Sequence, residues 1–100
     1  MKICSSKTTI PIRQTDGVVH LIDGYYVSSD VFPTFKFAVV KHYSMWKIVE
    51  IAVGVEVCYS KTRKRAVEMG DNVLRQYTLK QFKHGLKRVY KMKGNIKERR

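Results

Sequence analysis

The chain reads as an α+β domain, with an antiparallel meander or sheet first and then two C-terminal helices packed on one face of it. Three observations predict this class. Two Asp-Gly pairs, Asp16-Gly17 and Asp23-Gly24, punctuate short apolar segments near the start. From Phe35 to Tyr59 apolar residues alternate with period two, and from Ser60 onward they recur every three or four positions. Period two marks a strand with two distinguishable faces, and the longer spacing marks one side of a helix. A length of 100 residues leaves room for one small domain, because domains run to roughly 100–150 residues, and it excludes a two-domain enzyme. That single domain, 1–100, is expected to divide into strands over 1–59, a basic helical half over 60–93 and a mobile basic tail over 94–100.

The first strands are expected at Ile10-Pro11-Ile12, Val18 to Ile22 and Tyr25-Tyr26-Val27. Asp-Gly supplies the positive φ of a type I′ turn, which makes these a meander. Pro11 has no N–H to give a ladder and puts its strand at a sheet edge. After a break at Ser28 to Pro33, strands are expected over Phe35 to His42, Trp46 to Ala52 and Val55 to Tyr59, joined at Tyr43-Ser44-Met45 and at Val53-Gly54. Phe35, Phe37 and Val39 alternate with Lys36, Ala38 and Val40, and Trp46, Ile48 and Glu50 with Lys47, Val49 and Ile51. Neither face is wholly polar, so either both are partly covered or one is a contact surface.

Ser60 or Thr62 can cap the first helix, whose apolar positions are Ala66, Val67, Val73, Leu74 and Tyr77, with Gly70 admitting a neighbouring backbone. Thr78 can cap the second, with Leu79, Phe82, Leu86 and Val89 as its buried stripe and Tyr90 at the margin. Gly85 weakens that helix by ~1 kcal/mol relative to Ala. Lys93-Gly94-Asn95 reads as a helix stop before the tail.

Composition narrows the class further. The 44% hydrophobic and 11% aromatic content is that of a packed fold. No apolar run approaches the ~20 residues that span a bilayer, so no membrane association is expected. Met1-Lys2-Ile3-Cys4-Ser5-Ser6 turns polar at once and lacks the apolar core of a secretory signal, so a cytoplasmic location is expected, with Cys4 and Cys58 as reduced thiols.

Charge is the most informative property. Residues 1–50 carry six basic and four acidic groups, whereas residues 51–100 carry fourteen basic and four acidic ones, and the whole chain is +12. Such asymmetry attracts polyanions, which makes nucleic acid or an acidic protein surface the expected partner. In the second helix Lys80, Lys83, His84, Lys87 and Lys91 fall on one side, opposite the apolar stripe, and Arg88 lies nearby. A solvated face normally interleaves both signs, yet no acid occurs between Asp71 and Glu98. Lys61-Thr62-Arg63-Lys64-Arg65 sets four cations at a helix start, where the backbone dipole favours acids, and would suit phosphate. The same run also fits a nuclear-localisation signal. Trp46 is read as core, and Tyr25, Tyr26, Tyr43 and Tyr59, near turns, as better candidates for stacking on bases.

Catalytic and metal motifs are not evident. His20, His42 and His84 with Cys4 and Cys58 lack zinc-ligand spacing, and Glu50, Glu56, Glu68 and Asp71 are scattered. No Walker loop, dinucleotide fingerprint or nucleophile elbow is present, so neither metal nor cofactor is expected. A Cys58/His42 pair on neighbouring strands is the one nucleophile arrangement left open, and a small enzyme would lose activity on changing His20, His42 or Cys58.

The segment Trp46-Lys47-Ile48-Val49, then Gly54, Val57 and Lys61-Thr62-Arg63-Lys64-Arg65-Ala66, resembles a pattern of small phage-encoded proteins. In these a strand with an early Trp, a Gly turn, a third strand and a basic helix entry make a three-stranded sheet backed by a helix. The pattern is similar to the N-terminal DNA-binding domains of phage integrases and to some phage accessory and anti-CRISPR proteins, and it covers 35–77. Arg65 stands where the pattern has an acid, and the N-terminal meander and basic C-terminal helix are extra, which shifts the expected contact from the sheet to the helices. The resemblance implies a counter-defence inhibitor that binds a ribonucleoprotein, its RNA or DNA, or an acidic protein surface. The alternative is a stand-alone DNA- or RNA-binding regulator. Leftover edge strands permit a homodimer without arguing for one.

Overall fold

The computed structural model describes residues 1–14 and 17–98. The elements run β1 (Lys2–Ile3), β2 (Thr8–Arg13), β3 (Val19–Ser28), β4 (Phe37–His42), β5 (Met45–Glu50), β6 (Val55–Ser60), α1 (Arg63–Leu74) and α2 (Leu79–Glu98). All strand pairings are antiparallel, in the order β1-β3-β4-β5-β6, with β2 also on β3. The fold is α+β, strands before helices, as the change of hydrophobic period predicts.

β1 and β2 lie end to end along one edge of β3, which pairs through Val27 and Ser28 with the first and through Val19 to Gly24 with the second. The Cys4 N–H donates to the Tyr26 carbonyl at 2.9 Å, and Ser5 Oγ accepts from the Tyr26 N–H at 2.9 Å, which carries the edge across the gap. Pro11 is on this edge strand, as expected.

The segments Val18 to Ile22 and Tyr25 to Val27 are one strand, not two, so Asp23-Gly24 is not a turn. Gly24 sits where β3 is flanked by Thr8 on one side and Val40 on the other. A Cβ there would collide with the Val39 carbonyl oxygen and lie 2.7 Å from a Val40 methyl, so the glycine serves close approach of two backbones. Gly17, at φ 80°, does close the β2–β3 hairpin, its N–H donating to the Gln14 carbonyl at 3.0 Å; Asp16 lies outside the described residues.

β4 divides the interior. Phe37 and Val39 join Val27, Ile48, Cys58, Phe32 and Val53, together with Ala66 and Leu74 of α1 and Phe82 and Leu86 of α2. Ala38 and Val40 point the other way and join Ile10, Ile12 and Val49. The β2–β3 hairpin thus curls over the face opposite Phe37 and Val39, which explains why neither face of the alternating strands is polar. The turn after β5 is held by the buried Glu50 carboxylate, which accepts the Val53 N–H at 2.8 Å and the Ala52 N–H at 3.2 Å.

Of the two candidate caps of α1, Thr62 is the one used: its backbone is extended and its Oγ1 accepts the Arg65 N–H at 3.2 Å. Thr78 and Gln81 form a reciprocal capping box at the start of α2, at 3.1 and 2.9 Å. Gly70 admits the Met1 side chain rather than a backbone. Leu79 and Tyr90 are 45% and 55% exposed and do not belong to the buried stripe, which is Phe82 and Leu86 with Val89 half-buried. The helix also runs through Lys93-Gly94-Asn95 to Glu98, without the expected stop. One interior glycine costs only ~1 kcal/mol against a helix already nucleated. Of the tail, Arg99 and Arg100 lie outside the described residues. No helix among the described residues is long and apolar enough to cross a membrane.

Candidate polyanion-binding surface

All ten residues singled out by charge, Lys61, Arg63, Lys64, Arg65, Lys80, Lys83, His84, Lys87, Arg88 and Lys91, are exposed. Their presentation on α2 follows from how the helix docks. The Phe82 ring stacks on Phe32 at 4.9 Å, meets Phe35 edge-on at 5.1 Å and lies 6.1 Å from Phe37. Three aromatic partners fix the helix about its axis, and the 3.6-residue period then places Lys80, Lys83, His84, Lys87 and Lys91 on an arc roughly 100° wide on the opposite side. Among the described residues none of the ten stands in an ion pair; the Met1 ammonium pairs with Asp71 and Lys47 with Glu56.

The cluster at the start of α1 is a separate patch. Its first turn contains no acid, as the sequence shows, but its members do not act alike. Arg63 lays its guanidinium over the Tyr25 ring at 4.5 Å and 5.8 Å from the Trp46 ring, so it is tied to the sheet rather than free in solvent.

That contact borders a feature that charge alone does not reveal. Lys7, Leu21, Ile22, Asp23, Gly24, Tyr25, Lys41 and Trp46 line a groove of 550 Å³. Lys41 is directly opposite Trp46 in the β4–β5 register, with its Nζ 5.9 Å from the indole centroid. Tyr25 and Trp46 are half-buried, packed by one side on the main cluster and open on the groove by the other. Trp46 is therefore both a core residue and a groove wall. The pairing of Lys41 with Trp46 follows from a two-residue turn at Tyr43-Ser44 and was within reach of the sequence; the approach of Arg63 to Tyr25, from distant segments, was not.

Asp71 and Cys58, away from these patches, have structural partners. Burial alone would raise the Asp71 pKa, but hydrogen bonds from Ser29, the Met1 ammonium and the Asp30 N–H, with the ammonium's charge, outweigh it and hold the carboxyl below its ordinary value. Burial pushes the Cys58 thiol up, and its Sγ lies 3.6 Å from the Ala66 carbonyl oxygen. The Cys58/His42 pair is not formed: Cys58 faces the cluster beside α1, whereas His42 lines a cleft with Ile12, Val40 and Val49 on the other side of the sheet. Among the described residues no three His, Cys, Asp or Glu side chains gather as a metal site.

No family model, curated protein or solved structure matches the chain.

Proposed function

We propose that this chain is a non-enzymatic cytoplasmic binding protein that engages the phosphates of nucleic acid, both helices lying on one face of the sheet and α2 turning its cationic side outward. One observation carries the reading: Lys80, Lys83, His84, Lys87 and Lys91 are exposed together on one side of α2 with no carboxylate paired to them among the described residues. Like charges one helical turn apart repel by about 0.2–0.5 kcal/mol per pair, a cost that a polyanion reverses by neutralising the face. The resemblance to phage accessory and anti-CRISPR proteins supports a place for this contact within a nucleic-acid machine, a ribonucleoprotein or its RNA or DNA, which the protein inhibits or modulates. A stand-alone regulator of DNA or RNA would use the same face.

The test is direct binding to labelled RNA and DNA at several salt concentrations. Contact through this face requires log K to fall linearly with log salt, by about 0.7–0.9 per phosphate neutralised, and the Lys83→Glu/Lys87→Glu variant to flatten that slope. Binding that is absent from bare nucleic acid and appears only with an acidic protein surface overturns the phosphate reading.

A further inference from the structure

The α2 face accounts for affinity towards any polyanion, but it does not account for the groove beside α1. The groove walls are two aromatic rings, Tyr25 and Trp46, seated against the main cluster and so positioned before any ligand arrives. Two cations, Lys7 and Lys41, line it, and a third, Arg63, adjoins its wall, over the Tyr25 ring at 4.5 Å. Leu21, 72% exposed, extends the apolar wall, and Asp23, also exposed and in the lining, accepts the Thr9 hydroxyl at 3.3 Å and has acceptor capacity left for a base N–H.

These parts complement a planar ring carrying anions on either side. An aromatic wall alone would suit many apolar groups, whereas three cations beside it select a ligand that is negatively charged as well as flat. The volume of 550 Å³ is within the range of small-ligand sites and admits a nucleotide. A base inside a duplex has both faces stacked and cannot enter; a base in a single strand can. We infer that this groove seats an unpaired nucleobase of a single-stranded nucleic acid, stacked against Tyr25 and Trp46, with the flanking phosphates on Lys7, Lys41 and Arg63. This rests on the proposed phosphate binding and narrows it from polyanions to single strands.

Trp46 is the only tryptophan, so selectively excited tryptophan emission comes from this one ring on the groove wall. The full chain is titrated with oligothymidylate, with oligouridylate, with a blunt duplex and with inorganic polyphosphate, reading Trp46 emission and, separately, binding by anisotropy competition. The expected result is saturable quenching by the single strands, of either sugar, and binding without quenching by polyphosphate and duplex. Tyr25→Leu should lower the ratio of oligothymidylate to polyphosphate affinity about tenfold, the scale of one lost base stack. Because Tyr25 also touches the core, Lys41→Gln at an exposed position is the second variant, and it should weaken oligothymidylate about threefold with an unchanged circular dichroism spectrum. Equal binding of all four probes with constant Trp46 emission overturns the groove and leaves the α2 face standing. Quenching by polyphosphate as strong as by single strands likewise refutes stacking, and no binding of any probe overturns both readings.

Discussion

The Ser29 hydroxyl donates to the Asp71 carboxylate at 2.6 Å, tying the loop after β3 to the buried side of α1. The same carboxylate takes the Asp30 N–H at 3.3 Å and the Met1 ammonium at 3.2 Å. Ser29 Oγ in turn accepts the N–H groups of Val31 and Phe32, both at 3.1 Å. Phe32 is the ring on which Phe82 stacks, so this polar knot positions the aromatic seat of α2 and, through it, the direction of the cationic face.

Asp71→Asn should therefore destabilise the protein by about 3 kcal/mol, since removing one member of a buried charge pair strands the other. Ser29→Ala should cost about 1–2 kcal/mol, leaving a carboxylate oxygen and two N–H groups short of a partner. Urea unfolding of each variant and of the double variant measures both, and the double should cost less than the sum because the two share one network.

Acid should expose the same knot. The folded-state pKa of Asp71 lies below the ordinary 3.8, so its stabilisation is fully present above about pH 4 and is lost as the pH falls through the lower folded-state value. The urea midpoint of the wild type should drop in that acid window, and part of the drop should vanish in Asp71→Asn. A midpoint that falls equally in both proteins would assign acid sensitivity to other carboxylates.

The β4–β5 hairpin carries removable strain. Tyr43 and Ser44 have φ 51° and 68°, the left-handed region that type I′ turns require and that non-glycine residues resist. Ser44→Gly should stabilise the protein by about 1 kcal/mol, raising Tm by roughly 4–8 °C. Thermal unfolding followed by circular dichroism checks it, and the Trp46 response to oligothymidylate should persist because Lys41 stays opposite Trp46.

Local signals were legible in the sequence where local physics decides. The hydroxyls of Thr62 and Thr78 cap the helices because a cap needs only the next three residues. The cationic side of α2 follows from helical periodicity alone. Asp23-Gly24 carries the composition of a turn, but its glycine answers to the Val39 carbonyl across the sheet, which no local pattern encodes. Leu79 has the right spacing for the core, yet it stands in the first turn beyond the reach of the Phe32–Phe35 seat and stays 45% exposed. The groove draws Tyr25, Lys41 and Trp46 from β3, β4 and β5, with Arg63 of α1 over the Tyr25 ring, and such a meeting exists only once the sheet has curled.

β4 is buried on both sides along Phe37, Ala38, Val39 and Val40. Successive side chains there alternate between two different clusters, and Phe37 and Ala38 differ in size, so a slip of one residue would drive the Phe37 ring into the space of Ala38. A strand with a single permitted register also couples what lies on its two sides: the β2–β3 hairpin cannot melt without withdrawing support from the strand that seats Phe82. The outer hairpin and the basic helix, although far apart in the chain, are thereby expected to exchange amide hydrogens as one cooperative unit.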